Sequence, residues 1–169
     1  MTPIYSFPPI EPENARILIL GSMPGVASLE AQQYYAHPRN AFWPIMGELF
    51  GAHPELPYHN RVEILKAEGI AVWDVLESCV RVGSLDADID EGSLKVNDFE
   101  SFFRRHPDIR HVVFNGAKAE QSFRRYALPE LRLDYLSYTR LPSTSPAHAA
   151  MKLENKCKAW QTIYHVLYL

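Results

Sequence analysis

The segment Ile17-Leu18-Ile19-Leu20-Gly21-Ser22-Met23-Pro24-Gly25 carries the strongest structural signal in the chain. Four consecutive apolar residues followed by a glycine are typical of a strand that is buried on both faces of a parallel sheet. Gly21, Pro24 and Gly25 then predict a turn in which the backbone can approach a ligand closely. The loops that follow the carboxyl ends of such strands form the ligand crevice of an open α/β sheet. The segment therefore predicts both a central strand and one wall of a binding site.

The residues just beyond this turn are of types that occur in binding sites. Tyr34-Tyr35, His37-Pro38-Arg39-Asn40 and Phe42-Trp43 follow one another within a short span. Taken singly, a Gly-x-x-Pro-Gly turn is ordinary, and aromatic residues more often pack in a core. Their density, without the periodicity of one amphipathic helix, favours a functional site.

Three further strands are predicted, at 70–73, at 111–114 and at roughly 133–140, and each ends next to polar residues. Residues 1–14, with four prolines, are expected to lie as an extended arm over the fold. The alternation of strands and helices indicates a parallel sheet covered on both faces. We therefore expect one α/β domain over residues 1–169, built as three α/β/α layers around a central four-stranded parallel sheet. Helices are predicted at about 44–50, 61–68, 99–106, 117–126 and 150–167.

Composition limits the class of protein. The chain has 169 residues, of which 47% are hydrophobic, so it can bury a full core without covalent staples. The presence of only two cysteines, Cys79 and Cys157, excludes a disulfide scaffold or a four-cysteine cluster. No signal peptide or membrane-spanning stretch is evident, so a cytoplasmic protein is expected. The histidines have no ligand spacing, and we expect no metal and no cofactor.

The net charge of −3 argues against a protein that coats DNA without specificity. The same net charge is compatible with a DNA enzyme that binds through a local basic face.

The turn at 21–25 and the segment His37-Pro38-Arg39-Asn40, with Phe42-Trp43, resemble the first motif of the uracil-DNA glycosylase superfamily. The similarity is greatest to its hypoxanthine-DNA (deoxyinosine) glycosylase branch, which is related to the mismatch-specific uracil-DNA glycosylases. The loop Pro142-Ser143-Thr144-Ser145-Pro146 resembles the second motif, so the resemblance extends over nearly the whole chain.

This resemblance implies a monofunctional DNA glycosylase of base-excision repair that acts, without a metal and as a monomer, on DNA. Its substrate would be a deaminated base, hypoxanthine first, flipped out of the DNA. Two alternatives remain open: a uracil or mismatch-specific glycosylase, and a module that binds a damaged base or nucleotide without cleaving. A small-molecule hydrolase is a weaker alternative, because no Ser-His-Asp or Gly-x-Ser-x-Gly pattern is present.

The resemblance also suggests the base-binding residues. Tyr35 falls where related enzymes have an aromatic residue that stacks on the base, although it could equally be a core tyrosine. Asp74 falls where the uracil enzymes have a base-reading asparagine. An ionised aspartate only accepts hydrogen bonds, which suits the N1–H of hypoxanthine or the N3–H of uracil; the alternative is a cap for a following helix. The remaining residues of this predicted set are Gly21, Ser22, Met23 and Phe42.

Asn40 is the predicted catalytic residue, since the resemblance places a required asparagine at the end of His-Pro-Arg-Asn. An amide can orient a water molecule but is a poor general base, which predicts a modest catalyst that relies on electrostatic stabilisation. His37 is the nearest titratable alternative. The mismatch-specific enzymes have an asparagine where this chain has Met23, and this departure favours the hypoxanthine branch.

A third predicted set contacts the DNA backbone. Asn115 precedes a predicted helix whose first amides could bind phosphate, with Lys118 close by. The hydroxyl groups of the second motif can bind phosphates, and His148 could reach the sugar or the minor groove. Capping and solvated surface are the plain alternatives for these residues. The complete set is Arg39, Asn115, Lys118, Ser143, Thr144, Ser145 and His148.

Overall fold

A computed structural model describes residues 2–169 of the chain. These residues form seven strands: β1 (Ile4–Tyr5), β2 (Ile17–Gly21), β3 (Ile70–Asp74), β4 (Leu76–Cys79), β5 (Lys95–Val96), β6 (His111–Asn115) and β7 (Ser137–Leu141). They also form six α-helices: α1 (Val26–Ala31), α2 (Phe42–Phe50), α3 (Tyr58–Ala67), α4 (Phe99–Arg105), α5 (Ala117–Ser122) and α6 (Leu153–Tyr168).

The central sheet has four parallel strands in the order β3-β2-β6-β7. Alternate residues of β2 enter two different cores. Leu18 and Leu20 pack with helices α4 and α5 on one face, whereas Ile17 and Ile19 pack with α2, α3 and α6 on the other. Burial on both faces explains the unbroken apolar run in the sequence. The predicted three-layer fold with a four-stranded parallel sheet is confirmed.

The amino-terminal segment and the chain after β3 depart from the prediction. Strand β4 follows β3 after a single residue, Val75, and pairs with β1 and β5 in a small antiparallel sheet. The predicted extended arm does cross the fold, but it is hydrogen-bonded: Ile10 and Val72 exchange two backbone bonds, of 2.8 and 3.0 Å. Strands of two residues have no sequence periodicity, so no pattern indicated them.

The predicted helices are present with shifted ends. The fourth strand begins four residues later than predicted, at Ser137, and helix α1 was not predicted. Gly69, which follows α3, has φ +79°, the left-handed conformation in which a glycine commonly ends a helix. Helices α2 and α3 begin two or three residues earlier than predicted, α6 begins about three residues later, and α5 continues as a π-helical turn over Phe123–Ala127. Within residues 2–169, no helix combines the length and apolar character needed to cross a lipid bilayer.

Candidate active site

A cleft of about 980 Å³ opens at the carboxyl ends of the parallel strands. Every predicted site residue except Phe42 lines it, so the loops that the sequence places after the four strands do converge. The lining also includes several residues of the segment between β4 and β5, residues 80–94, which we call the β4–β5 loop.

The floor of the cleft is built around Gly21. This residue ends β2 and lies opposite Asp74 in the register of the sheet. A β-carbon on Gly21 would lie 2.6 Å from Asp74 Oδ1 and 2.8 Å from Tyr35 Oη. Both distances are below contact, so glycine is required here for space, and the two polar side chains meet at this point.

Tyr35 forms part of the cleft wall. Its backbone has φ +55°, a left-handed conformation that is costly for a bulky residue and that often marks a functional position. Its ring stacks on Phe42, with centroids 4.1 Å apart and planes 22° apart. Burial raises the pKa of the Tyr35 hydroxyl, which is therefore protonated, and this hydroxyl has no hydrogen-bond partner among residues 2–169.

The structure corrects the prediction for Phe42. This side chain is fully buried and lies behind Tyr35, packed edge-on against Trp43 and Trp160. It therefore supports the ring of Tyr35 instead of contacting a ligand itself. Met23, also predicted, does line the cleft, although its side chain is mostly buried among core residues.

Asp74 is the buried ionisable group of the cleft. Its side chain is 3% exposed, and its Oδ2 atom has no hydrogen-bond partner in the described part of the chain. Burial, reinforced by the charge of Asp86 and opposed by that of Arg81, raises the Asp74 pKa to about 7. The carboxyl is thus largely neutral below that pH and can donate as well as accept, unlike the ionised acceptor expected from the sequence. The helix-cap alternative is wrong, because strand β4 follows Asp74.

The raised pKa predicts a pH-dependent cost of Asp74 to folding. A carboxyl whose pKa is higher in the folded than in the unfolded state destabilises the fold as pH rises from about 4 through 7. We expect Asp74→Asn to raise the free energy of unfolding by up to about 4 kcal/mol at pH 8 and by little at pH 4. Urea denaturation at both pH values measures this, with the exposed Asp108→Asn as control. An equal gain at both pH values would contradict it.

The β4–β5 loop reaches the cleft through polar contacts that the sequence analysis missed. The Ser22 hydroxyl donates to Asp86 Oδ1 at 2.5 Å, across 64 residues of sequence. Arg81 donates from Nη2 to the carbonyl of Pro24 at 2.5 Å and from Nε to that of Gly83 at 2.9 Å. The only sequence signal is a pair of opposite charges around the Gly83-Ser84 turn, which is common on surfaces.

Asn40 lies on the cleft wall at the start of helix α2. Its Oδ1 accepts from the Phe42 N–H at 2.9 Å, and its own N–H donates to the carbonyl of His37 at 2.9 Å. The next residue, Ala41, donates to the carbonyl of Thr144 at 2.9 Å, which ties this turn to the second-motif loop. The amide nitrogen Nδ2 of Asn40 makes no hydrogen bond within residues 2–169, so its two hydrogens remain available to a ligand.

His37 also lines the cleft, but its ring fixes the loop. Its Nδ1 accepts from the Arg39 N–H at 3.0 Å. This bond engages the Nδ1 atom of the ring within the loop itself. This geometry favours Asn40 over His37 as the residue that acts on a substrate.

Asn115 and Thr144 bind each other. The Asn115 amide donates to Thr144 Oγ1 at 2.9 Å, and its oxygen accepts from the Thr144 N–H at 2.9 Å. Thr144 is 1% exposed. These two side chains were predicted to contact DNA. In the structure they instead join the end of β6 to the second-motif loop.

The other predicted DNA-contact residues lie at the rim of the cleft. Ser143 and Ser145 accept backbone hydrogen bonds, so their hydroxyl hydrogens remain free to donate. Lys118 is bound to Glu91 of the β4–β5 loop, which also accepts from the Tyr126 hydroxyl. Arg39 and His148 are exposed at the rim, and their side chains have no partner among residues 2–169.

The fold and the cleft together define an α/β protein with a ligand-sized cleft at the carboxyl ends of its parallel strands. The chain belongs to the uracil DNA glycosylase superfamily, whose family model matches residues 8–167. The resemblance found in the sequence is thereby confirmed.

Individual relatives are similar over most of the chain. A hypoxanthine DNA glycosylase of Methanosarcina acetivorans is 35% identical over 159 residues, which are 94% of this chain and 96% of the relative. A hypoxanthine DNA glycosylase of Methanosarcina barkeri is 40% identical over 114 residues, or 67% of this chain and 71% of the relative. The solution NMR structure of a candidate uracil DNA glycosylase from M. acetivorans has a TM-score of 0.80, with 31% identity, and covers 98% of this chain and 99% of that one.

Proposed function

We propose that this protein is a monofunctional DNA glycosylase that hydrolyses the N-glycosidic bond of a deaminated base, hypoxanthine foremost, flipped out of DNA. One observation carries the proposal: an unpartnered buried carboxyl and a stacked tyrosine meet at a glycine on the floor of a strand-end cleft. The names of the Methanosarcina relatives support the same activity.

A base that leaves the duplex needs a flat apolar surface and a hydrogen-bonding edge. The ring of Tyr35 supplies the stacking surface, and the Phe42 ring packed behind it holds it in place. Asp74 supplies the hydrogen-bonding group at the floor. Hypoxanthine and uracil both carry a carbonyl beside a ring N–H, so both fit this recognition, and uracil is the competing substrate.

Bond cleavage requires that water add to the sugar C1′ while the C1′–N bond breaks and the electron pair leaves with the base. The proton released by the water ends on the departing base. Because Asn40 Oδ1 is already engaged by Phe42 N–H, we assign the free amide hydrogens of Asn40 to the developing negative charge of the base.

The DNA backbone is proposed to lie along the rim, against Ser143, Ser145, Arg39 and His148. Lys118 can join this set only by leaving Glu91. Because the net charge of the chain is −3, we expect the contact with the DNA backbone to be limited to this rim. A limited contact suits a protein that binds a few phosphates around one damaged base. We further propose that the protein acts as a monomer, and that it acts in the cytoplasm, because its two cysteines give it no disulfide scaffold.

The test is excision from matched duplexes that carry one hypoxanthine, uracil or xanthine, followed by alkali cleavage, with and without a chelator. We expect alkali-labile sites at hypoxanthine above uracil, in equal yield with chelator, and none at the same position occupied by adenine. Binding without any strand cleavage would contradict the enzyme and favour a binding module. Cleavage at uracil alone would assign the protein to the mismatch enzymes.

A further inference from the structure

The connection between helices α1 and α2 has an unusual backbone geometry. Among residues 2–169, two residues other than glycine have positive φ, and both lie here: Gln32 and Tyr35, each at φ +55°. Gln32 ends α1, where a left-handed residue is common. Tyr35 ends no helix, and the conformation is costly for a residue with a large side chain. Such a conformation persists only where the surrounding structure imposes it.

Hydrogen bonds fix the peptide groups on both sides of Tyr35. The carbonyl of Tyr34, which belongs to the preceding peptide group, accepts from Trp43 Nε1 at 2.8 Å. The N–H of Ala36, which belongs to the following peptide group, donates to Ser28 Oγ at 3.0 Å. Because φ and ψ of Tyr35 set the angle between these two rigid groups, the two bonds together hold its left-handed conformation.

A third hydrogen bond reaches this turn from outside the cleft. The hydroxyl of Tyr58, in helix α3, accepts from the N–H of Tyr34 at 3.0 Å. The hydroxyl of Tyr34 in turn donates to the carbonyl of Pro8 at 2.9 Å. Tyr34 is only 4% exposed, so water cannot readily replace these partners. Tyr58 does not line the cleft, whereas the buried Ser28 lies in its wall.

We propose that Ser28 and Tyr58 are positioning residues for base excision, which act by holding Tyr35 in the conformation that keeps its ring in the cleft wall. This inference rests on the proposed function, in which that ring stacks on the flipped base. Phe42 supports the ring from behind, at a centroid distance of 4.1 Å, but it cannot fix the backbone that carries the ring. The hydrogen bonds to the neighbouring peptide groups do so.

The test is single-turnover excision of hypoxanthine from duplex DNA by Ser28→Ala and by Tyr58→Phe, well below the melting temperature of each variant. Each substitution removes one hydroxyl group and leaves Tyr35 intact. A buried N–H that loses its partner favours relaxation of Tyr35 toward negative φ, and we expect the rate to fall about tenfold in each variant. A wild-type rate in both variants would overturn the inference.

Proton NMR of the unliganded protein provides a readout that does not depend on activity. At φ +55° the amide and α protons of a residue lie closer together than at negative φ, so Tyr35 should show a strong intraresidue NOE between them. This NOE should weaken in Ser28→Ala and in Tyr58→Phe. An unchanged NOE in both variants would overturn the inference, because other contacts would then hold Tyr35.

The matched control is Tyr168→Phe, which removes a hydroxyl that is hydrogen-bonded to Glu68 and does not line the cleft. It should excise at the wild-type rate and leave the NOE of Tyr35 unchanged. A loss of rate as large as that of Tyr58→Phe would contradict a specific action through Tyr35. A wild type without excision would overturn the proposed function, whereas the NOE would still decide whether Ser28 and Tyr58 hold Tyr35.

Discussion

Asn40→Ala is expected to lower the single-turnover rate of base excision by about 100- to 1,000-fold, the cost of removing one hydrogen-bond donor from developing charge. Asn40 lines the cleft and its Nδ2 makes no hydrogen bond within residues 2–169, whereas the amide group of Asn115 is engaged at both ends by Thr144. The measurement is excision with enzyme in excess over hypoxanthine-containing duplex. Binding of the same duplex should change much less than the rate.

A second variant separates catalysis from folding. Asn40 Oδ1 also accepts from the Phe42 N–H at the start of α2, so alanine should lose this hydrogen bond at a cost of about 1 kcal/mol of stability. Asn40→Ser retains an oxygen that can accept from this N–H but has no amide hydrogens. It should therefore unfold close to the wild-type temperature and still fail to excise. Full activity in Asn40→Ser would show that the residue serves the helix and not the reaction.

Gly21→Ala is expected to reduce excision at least about 100-fold by filling the floor of the cleft. The new methyl group would lie 2.6 Å from Asp74 Oδ1 and 2.8 Å from Tyr35 Oη, so both side chains must shift. The variant displaces the hydrogen-bonding edge and the stacking ring together. A misplacement of about 1 Å can lower the rate of a reaction by about 100-fold. Excision and binding of a duplex that contains hypoxanthine should both fall.

The matched control for this change is Gly92→Ala, whose new β-carbon would lie at an ordinary contact distance of 3.5 Å from Asp90. It should excise at the wild-type rate. Thermal unfolding of both variants distinguishes a blocked cleft from a lost fold. If Gly21→Ala remained fully active, the base could not occupy the space between Tyr35 and Asp74.

The parts of the fold that depend on local chemistry could be predicted from the sequence. The run from Ile17 to Leu20 is apolar because both its faces are buried, and the polar residues after each strand indicated the edge where the cleft lies. A family resemblance then assigned roles that no pattern of polarity could supply.

The parts that depend on contacts between distant residues could not be predicted. The bond from Ser22 to Asp86 spans 64 residues, and neither position is unusual by itself. In the aromatic segment, sequence spacing does not say which ring faces the ligand, so Phe42 was predicted to bind the base, although it lies behind Tyr35. The ionisation of Asp74 depends on burial and on a neighbour from another loop, neither of which is visible in the sequence.

The bridge between Ile10 and Val72 has a consequence for the behaviour of the protein outside its active site. Strand β3 is one of the two outer strands of the parallel sheet, and an uncovered outer strand is a template for pairing with other chains. The prolines next to Ile10 cannot donate to such pairing, and Ile10 itself occupies the middle of the β3 edge. The amino-terminal arm therefore covers the exposed edge of the strand that carries Asp74 and protects it from pairing with other chains.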